Sequence, residues 1–267
     1  MKLLTFNCCG FPPLAPGTKS RMQSIARAVA SIDPDIAAFQ EVFFHRYTRA
    51  LGDILGPRLP YCFFHSRLGR FPAGGLVLFS RFPIKAGSFS AYKARGPLLG
   101  KSIVGHLNKK GMLMARLKDP PLNIITTHLL PNFDGNHTDQ GRYGRIQAAQ
   151  LAQFLTQVNS LDKNIPLVIM GDFNFPPDCV FYERLIKEGA LSDPLAHDPR
   201  PTGFGEWCKD GKVRAKPKRI DYILSRQQTV TSRSVITARL IFQDRLKKDH
   251  PKNYLSDHCG ILAEIPL

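Results

Sequence analysis

Residues 167–174 read LVIMGDFN, an apolar run that ends in an acidic and an amide side chain. The length of the run predicts a buried β-strand, and Asp172 and Asn174 then lie where that strand ends. Taken alone, GDFN is typical of a tight turn, because Asp and Asn side chains bond to the backbone amides that follow them. Its meaning therefore depends on whether other strands end in the same way.

Four more apolar runs carry polar residues at one end. Asn7 follows LLTF, Glu41 follows IAAFQ, His128 follows IITT, and Asp257 with His258 precedes CGIL. Singly, each residue has a simpler interpretation as a turn former, a helix cap or a core histidine. Strand ends in a sheet sandwich can meet at one edge, where ligands tend to bind. The coincidences together therefore favour one shared site.

Strands and helices alternate along the whole sequence. Apolar residues at helical spacing predict helices over residues 19–31, 44–55 and 142–159 and near 179–188. Strands are predicted over residues 2–7, 36–40, 61–65, 75–80, 112–117, 122–127, 166–170, 220–224, 234–241 and 260–265. No repeat, linker or change of composition divides these elements, so we expect a single domain over residues 1–267.

The chain is strongly basic, with 37 Lys and Arg against 21 Asp and Glu and a formal charge of +16 at pH 7. The excess is concentrated in residues 1–133, which hold 18 basic and 5 acidic side chains. The densest basic stretches are residues 209–219 and 245–248. This charge favours an anionic partner such as nucleic acid, an anionic membrane surface or a phosphorylated small molecule. A solvated basic surface that only aids solubility is the simpler alternative.

No run approaches the ~18 to 20 apolar residues that a membrane span needs. The first residues lack the apolar core of a secretory signal, so we expect a cytoplasmic protein as given, or a mature secreted form without its signal. The six cysteines form no CxxC pair, which favours reduced structural thiols over a zinc site or a disulfide framework. We expect a monomer.

Peripheral contact with a membrane is a further hypothesis. Residues 86–99 combine glycine and proline with apolar and aromatic side chains, which is typical of a loop. If the protein docks on a membrane, we expect this loop to do so through Phe89, Tyr92, Leu98 and Leu99. The alternative is an ordinary loop in solvent.

The polar residues at the strand ends suit a hard divalent cation. Mg²⁺ binds carboxylate and amide oxygens together with water and substrate phosphate, and Mn²⁺ is the alternative. Glu41 and Asp257, with the amide oxygen of Asn7, can supply such a site. A carboxylate beside His258 would fix its tautomer and raise its basicity, and Asp221 is the natural candidate because it interrupts a strand-like run.

Seven stretches, in this order, resemble the endonuclease/exonuclease/phosphatase superfamily, which has the deoxyribonuclease-I-like fold. They are TFN at 5–7, FQEV at 39–42, GGLVLFSRFPI at 74–84, TTHL at 126–129, GDFN at 171–174, RIDY at 219–222 and SDH at 256–258. The resemblance implies an α/β fold, a four-layered α/β sandwich of two mixed β-sheets packed face to face with helices on the outside. It also implies a metal site at one edge.

The resemblance implies roles for individual residues. Glu41 would be the principal Mg²⁺ ligand with Asn7 and Asp257 nearby, and His258, held by Asp221, would be the general base that activates water. The reaction would be an in-line attack on phosphorus with cleavage of a P–O bond, in which the metal and the histidines neutralise charge and handle protons.

The same resemblance assigns the remaining polar residues. Asp172 and Asn174 would position the nucleophile and a phosphate oxygen, and His128 would bond to a non-bridging oxygen or assist the leaving group. NKKGMLMA at 108–115 is similar to the strand entry of the neutral sphingomyelinase and phospholipase-C-like branch. By that analogy Lys110 contacts substrate phosphate, the alternative being an exposed hairpin lysine.

We therefore expect a Mg²⁺-dependent phosphodiesterase that hydrolyses a phospholipid or sphingolipid headgroup, in the manner of a sphingomyelinase C. His128 argues against the apurinic endonuclease branch, and KRID at 218–221 argues against the inositol-polyphosphate phosphatases. A metal-dependent nuclease is the enzymatic alternative, since neutralising phosphates gives sequence-independent affinity for DNA. A non-catalytic scaffold of the same fold is the third hypothesis.

Overall fold

The computed structural model of the chain describes residues 1–11, 17–67, 71–97, 109–204, 216–226, 236–243 and 255–266. Its helices are α1 (Thr18–Ile32), α2 (His45–Leu55), α3 (Arg142–Ser160) and α4 (Val180–Gly189). Its strands are β1 (Lys2–Asn7), β2 (Ile36–Gln40), β3 (Tyr61–Phe63), β4 (Ser66–Arg67), β5 (Phe71–Pro72), β6 (Val77–Ser80), β7 (Ile84–Ala91), β8 (Gly111–Leu117), β9 (Leu122–His128), β10 (Leu167–Asp172), β11 (Asp221–Arg226), β12 (Thr237–Ile241) and β13 (Gly260–Glu264).

The larger strands form two mixed sheets. The six-stranded sheet has the order β12-β13-β1-β2-β6-β3, and the five-stranded sheet has the order β11-β10-β9-β8-β7. Each sheet contains one parallel pair, β1 with β2 and β9 with β10, and its other pairs are antiparallel. Strands β4 and β5 form a separate small hairpin.

Three apolar clusters place these elements in four layers. Helices α1 and α2 cover the outer face of the six-stranded sheet, where Ile25 and Leu51 pack with Leu4 of β1. Between the two sheets lies a second cluster that includes Leu3 and Val168. On the outer face of the five-stranded sheet α3 and α4 form the third cluster. The structure confirms the predicted α/β sandwich with two mixed sheets face to face.

This layering explains why the central strands are apolar at nearly every position. Leu3 faces the other sheet while Leu4 faces the helices, because successive side chains of a strand point to opposite faces. Both residues are fully buried. A strand covered on both faces therefore reads as a continuous apolar run, and each such side chain contributes about 1.5–3 kcal/mol by its burial.

The predicted elements are present, with ends shifted by a few residues. The shifts that matter most are at β9 and β10, which extend to His128 and Asp172 and make these residues the last of their strands. The first two residues of the predicted strand at 234–241 lie outside the described residues, as do the basic stretches 209–215 and 245–248.

The prediction of a loop over residues 86–99 is wrong for its first half. Residues Ile84–Ala91 form β7, the edge strand paired with β8. One of its small residues is required by packing, because a Cβ on Gly87 would lie 2.2 Å from the ring of Phe63. Those small residues removed the alternating pattern by which a half-buried strand is recognised.

The aromatic side chains of this segment differ in their exposure. Tyr92 is only 1% exposed, and its hydroxyl lies 2.6 Å from Thr127 Oγ1. Phe89 is half-buried and stacks on His65 with a ring separation of 5.9 Å. Leu98 and Leu99 lie outside the described residues.

Within the described ranges no helix is both long enough and apolar enough to cross a membrane. The cysteines of those ranges, which are Cys8, Cys9, Cys62, Cys179 and Cys259, are all free thiols. The expectation of unpaired cysteines is confirmed for these positions, while Cys208 lies outside the described residues.

Candidate active site

The topology brings the predicted strand ends to one edge of the sandwich. In the five-stranded sheet β9 and β10 run parallel and end side by side, with His128 opposite Asp172. Strand β11 runs the other way and begins at Asp221, which is also opposite Asp172. In the six-stranded sheet the parallel strands β1 and β2 end with Asn7 opposite Gln40.

Asp172 lies at the centre of the cluster and is only 1% exposed. Its Oδ2 accepts a hydrogen bond of 2.9 Å from Nδ2 of Asn7 and lies 3.2 Å from Nε2 of His128. Its Oδ1 accepts a bond of 2.9 Å from the backbone amide of Asn174. Burial alone would raise the pKa of Asp172, but the charges of His128 and His258 outweigh it and lower that pKa. Asp172 is therefore an ionised carboxylate.

His258 is held by one acid through its Nδ1 and faces two further acids through its Nε2. Its Nδ1 lies 2.8 Å from Oδ2 of Asp221, while its Nε2 lies 3.9 Å from Asp172 Oδ2 and 4.0 Å from Asp257 Oδ1. Burial opposes the charged imidazole, yet these carboxylates, Asp221 above all, raise the pKa of His258 well above its usual value. The Asp221 contact leaves Nε2 as the nitrogen available for chemistry.

Glu41 is presented by an unusual backbone conformation. Its φ of 61° lies in the left-handed region, which is uncommon for a residue other than glycine and often marks a functional site. Gly75 makes this turn possible, because it has a φ of 69° and a Cβ there would lie 3.2 Å from the Cα of Glu41. The half-buried carboxylate receives only a long bond of 3.5 Å from Asn7 Nδ2 among the described residues.

The donor chemistry beside Glu41 fits a hard divalent cation. Burial chiefly raises the pKa of Asp257, the charge of His258 lowers it, and the negative charge of Glu41 raises it further. In the described part of the chain neither acid is paired with a lysine or an arginine. The Oδ1 of Asn7 accepts a bond of 3.0 Å from the amide of Cys9, which leaves its second lone pair for a ligand. Carboxylate and amide oxygens of this kind are what Mg²⁺ requires.

A second group of potential metal ligands lies in the same cluster of side chains. Asp172, Asp221 and His258 each offer a ligand atom, and these atoms lie within 4.8 Å of one another. The sequence did not predict this set as a metal site. Because the Nδ1 of His258 is already bonded to Asp221, we read this set first as a proton-handling group.

Lys110 also reaches the cluster, although it precedes β8 rather than following a strand. Its Nζ lies in hydrogen-bond contact with Nε2 of His128. The side chain is 9% exposed, so the alternative of an exposed hairpin lysine is wrong. Burial lowers the pKa of Lys110 to about 8, against the opposing effect of Glu41 and Asp172.

Asn174 is fixed by three hydrogen bonds. Its backbone amide donates to Asp172, and its backbone carbonyl accepts from Nε2 of Gln147 at 3.0 Å. Its side-chain Nδ2 donates to the backbone carbonyl of Leu129 at 3.0 Å. It also has a left-handed φ of 55°. One of the two hydrogens on Nδ2 is thus used within the protein, and the other remains available to a ligand.

Sequence reasoning missed two buried residues that hold the site together. Gln40, fully buried, donates from Nε2 to Thr126 Oγ1 at 3.1 Å and so connects the two sheets. Thr202, also fully buried, accepts from the backbone amides of Ile220 and Asp221 at 2.9 and 3.0 Å. Gln40 could have been suspected as a polar residue inside an apolar strand. Nothing in the sequence around Thr202 marks it.

Comparison with known proteins relates this arrangement to phosphoesterases. A Drosophila melanogaster protein provisionally named a neutral sphingomyelinase is 26% identical over 277 residues, covering 100% of this chain and 61% of that protein. The inositol phosphosphingolipids phospholipase C of Schizosaccharomyces pombe is 28% identical over 201 residues, covering 72% of this chain and 45% of that protein. The chain thus spans about half the length of these curated relatives.

Solved structures share the fold. The crystal structure of SmcL superposes with a TM-score of 0.78 at 19% identity, covering 99% of this chain and 98% of SmcL. Sphingomyelinase C from Streptomyces griseocarneus has a TM-score of 0.74 at 18% identity, covering 99% of both chains. A beta toxin variant from Staphylococcus aureus with bound magnesium ions has a TM-score of 0.73 at 18% identity, again covering 99% of both.

The family comparison covers nearly the whole chain. Residues 4–258 match the endonuclease/exonuclease/phosphatase family, a range that begins inside β1 and ends at His258. It therefore contains every residue of the edge cluster described above. The protein belongs to the endonuclease/exonuclease/phosphatase family.

Proposed function

We propose that this protein hydrolyses phosphodiester bonds with the help of a divalent cation, and that its substrate is the headgroup phosphodiester of a phospholipid or sphingolipid. The observation that carries the proposal is the buried pair of His258 and Asp221, 2.8 Å apart, whose free imidazole nitrogen faces ionised Asp172. A base oriented by an acid, beside a second set of oxygen ligands, is the equipment of a metal-assisted hydrolase.

In this mechanism His258 is the general base. Its Nε2 takes a proton from the attacking water, and Asp221 stabilises the imidazolium that forms. The water oxygen forms a bond to phosphorus in line with the P–O bond that breaks. Asp172 and Asn174 position the water and a phosphate oxygen, and both are held rigidly by the hydrogen bonds already described.

The cation would be held by Glu41 and Asp257 with the amide oxygen of Asn7, and Mg²⁺ is the first choice with Mn²⁺ as the alternative. When bound, it supplies positive charge that neutralises the phosphate and stabilises the charge developing on its oxygens. The absence of a lysine or arginine partner for either acid among the described residues supports this assignment. The magnesium in the related beta toxin structure supports the choice of metal.

Lys110 and His128 would stabilise the phosphate from the other side. They contact each other, and His128 is held 3.2 Å from Asp172. A lysine ammonium and an imidazole N–H are strong donors to phosphate oxygens in a buried site. His128 bonds to a non-bridging oxygen or returns a proton to the leaving oxygen of the lipid.

A lipid substrate is supported by the names of the relatives, which act on sphingolipids, and by an aromatic cluster beside Glu41. The ring of Phe44 lies 5.7 Å from that of Phe71, which is 38% exposed, and the guanidinium of Arg46 lies 4.8 Å from the Phe44 ring. Aromatic rings flanked by arginine are typical of surfaces that contact the headgroup region of a bilayer. We define Phe44, Arg46 and Phe71 as the aromatic rim.

A nuclease is the second candidate, and the charge of +16 is the observation that favours it. The described aromatic residues do not support it, because the rim pairs its rings with each other rather than presenting free faces on which bases could stack. We therefore rank the lipid phosphodiester first.

A substrate panel tests the proposal. The purified protein is incubated with Mg²⁺, with Mn²⁺ or with EDTA, and offered vesicles of sphingomyelin, phosphatidylcholine or inositol phosphosphingolipid, plasmid DNA, and a phosphomonoester. We expect release of a phosphorylated headgroup that EDTA abolishes. Cleavage of DNA without lipid turnover would establish the nuclease instead, and absence of both turnover and Mg²⁺ binding by calorimetry would establish the scaffold.

A further inference from the structure

A buried ion pair lies just outside the catalytic cluster. Nη1 of Arg219 lies 2.7 Å from Oδ2 of Asp193, and the two side chains are only 2% and 1% exposed. Removing two charges from water costs several kcal/mol per ion, so a buried pair is weak evidence for stability by itself. Its place in the structure therefore needs another explanation.

Aromatic residues enclose this pair. The guanidinium carbon of Arg219 lies 4.8 Å from the ring of Tyr222 and 5.7 Å from the ring of Tyr182. The hydroxyl of Tyr182 donates to Asp193 at 2.8 Å. The single proton of the Tyr222 hydroxyl is shared between the carbonyl of Phe175 at 2.9 Å and that of Arg219 at 3.2 Å. Arg219 is consequently held chiefly by its side chain.

The two residues that follow Arg219 are also fixed. The backbone amides of Ile220 and Asp221 both donate to Oγ1 of Thr202. Asp221 is the first residue of β11, and backbone bonds also hold the residues before it: the amide of Phe173 donates to the carbonyl of Ile220 at 2.9 Å, and Lys218 pairs with Gly203. The side chains of Arg219 and Thr202 add to these backbone bonds at the entry of β11.

We propose that Arg219 is a positioning residue for the catalytic base. The clamp of Arg219, Asp193 and Tyr182 fixes the entry of β11, which sets the position of the Asp221 carboxylate and through it the orientation of the His258 imidazole. Arg219 itself contacts neither the substrate nor the reacting atoms. This inference rests on the proposed function.

Arginine suits this role better than lysine. Its planar guanidinium can pair with a carboxylate and lie against aromatic rings at the same time, whereas a lysine ammonium is a compact point charge. An Arg219→Lys substitution keeps the charge and the pairing with Asp193 but loses the flat contacts with Tyr222 and Tyr182. It should therefore loosen the clamp without leaving an unpaired buried charge.

A double-mutant cycle separates positioning from general stability. Arg219→Lys should lower kcat roughly 10- to 100-fold, since a misplacement of about 1 Å can cost that much, and should leave KM nearly unchanged. In an Asp221→Asn background, where the base has already lost its orienting acid, the same substitution should change kcat less than about 2-fold. Equal losses of kcat in the two backgrounds would overturn the proposal.

Arg226 provides the matched control, because it is the last residue of the same strand. Its guanidinium donates to the carbonyls of Val158 and Leu161 at 3.2 and 3.4 Å. Arg226→Lys should lower the melting temperature, but it should not change kcat either in the wild type or in the Asp221→Asn variant. If the Arg219 variant does not fold, Tyr182→Phe removes only the hydroxyl bonded to Asp193 and should show the same pattern with a smaller loss of kcat.

A second measurement does not depend on turnover and so separates this inference from the proposed function. The proton between His258 Nδ1 and Asp221 should give a low-field proton NMR signal in the wild type. We expect Arg219→Lys to shift or broaden this signal and Arg226→Lys to leave it intact. An unaltered signal in a folded Arg219→Lys variant would refute the clamp, whether or not the protein proves to be a phosphodiesterase.

Discussion

The two edges of the sandwich are both rich in charge, but they use it differently. At the edge opposite the candidate site, Arg81 bonds to Asp35 at 2.8 Å and to Asp33 at 2.9 Å, and all three side chains are between 24% and 47% exposed. These residues, with Met1, Lys2 and Glu264, line a shallow cavity of about 530 Å³. Opposite charges are paired there in contact with water.

At the edge with the candidate site, Asp172 and Asp221 are buried, Glu41 and Asp257 are half-buried, and the partners of these acids are histidines and amides. Asp172 is 1% exposed, accepts a hydrogen bond from Asn7 and lies 3.2 Å from His128, while neither Glu41 nor Asp257 is paired with a lysine or arginine among the described residues. Exposed, paired charge contributes little energy and needs no function. Buried charge is costly, and the proposed function accounts for it as a site that would bind a cation and move protons. The following predictions test this contrast, from the largest expected effect to the smallest.

Removing the base or the principal metal ligand should have the largest effect. His258→Ala and Glu41→Ala should each lower kcat by about 10²- to 10⁴-fold, because each removes a group that acts in the transition state. Circular dichroism should show both variants folded. A variant that turns over lipid at the wild-type rate would contradict the role given to its residue.

The His258 and Asp221 pair predicts a pH dependence. His258 must be neutral to accept a proton, and its pKa is raised, so activity should increase with pH across an apparent pKa above the usual value of about 6.5. Asp221→Asn should move this limb of the kcat profile to lower pH and reduce its plateau. A limb that stays in place would show that Asp221 does not set the basicity of His258.

The raised pKa of His258 also predicts that stability decreases as the pH rises, whereas activity increases. Because the folded-state pKa of His258 is raised, its contribution to the free energy of unfolding is complete below the unfolded-state pKa of about 6.5 and is lost as the pH rises through the folded-state pKa. Denaturant titrations across this range should show a loss of stability that His258→Ala abolishes.

The lowered pKa of Lys110 predicts how activity changes with pH on the alkaline side of the profile. It should donate to phosphate only while protonated, so activity should decrease as the pH rises through about 8, the value to which burial lowers its pKa. Lys110→Arg should remove this decrease, because arginine stays charged. The neighbouring Lys109→Met variant is the control and should retain the decrease; an unchanged alkaline limb in Lys110→Arg would assign it to another group.

The aromatic rim should have a smaller effect that depends on the substrate. Phe71→Ser should lower turnover of vesicle lipid roughly 3- to 10-fold, since a buried aromatic ring contributes about 1 kcal/mol or more, while turnover of a soluble phosphodiester stays the same. Tyr61→Ser is the control, because Tyr61 is equally exposed at 41% but pairs with Ser80 at the level of Ile36, the far end of β2 from Glu41. Equal losses in both variants would remove the rim from lipid contact.

The opposite edge should give the smallest effect. Arg81→Ala should leave kcat and KM unchanged and lower the free energy of unfolding by about 1 kcal/mol or less, as is usual for exposed ion pairs. Chemical denaturation measures the second value. A loss of activity in this variant would mean that the contrast between the two edges is not the one described here.

Much of the site was predictable because its signals are local. Asn7, His128 and Asp172 each end an apolar run, and each lies in one of the stretches that resemble the family. Strand β7 was not predictable, because close packing of Gly87 on Phe63 requires small residues that read as a loop. Thr202 was not predictable either, since its hydroxyl acts on backbone amides about eighteen residues away in sequence.

The sequence by itself determined the order of the strands and helices and the types of residue at the edge with the candidate site, because both follow from the period and the ends of apolar runs, while the layers were implied by the family resemblance. The pairing of Asp221 with His258 was expected from the sequence, but other partners were decided only by the tertiary structure. It placed Lys110 on His128 across 18 residues and Arg219 on Asp193 across 26. Such contacts depend on how the packed sheets and helices bring distant segments together, and no local pattern in the chain encodes that distance.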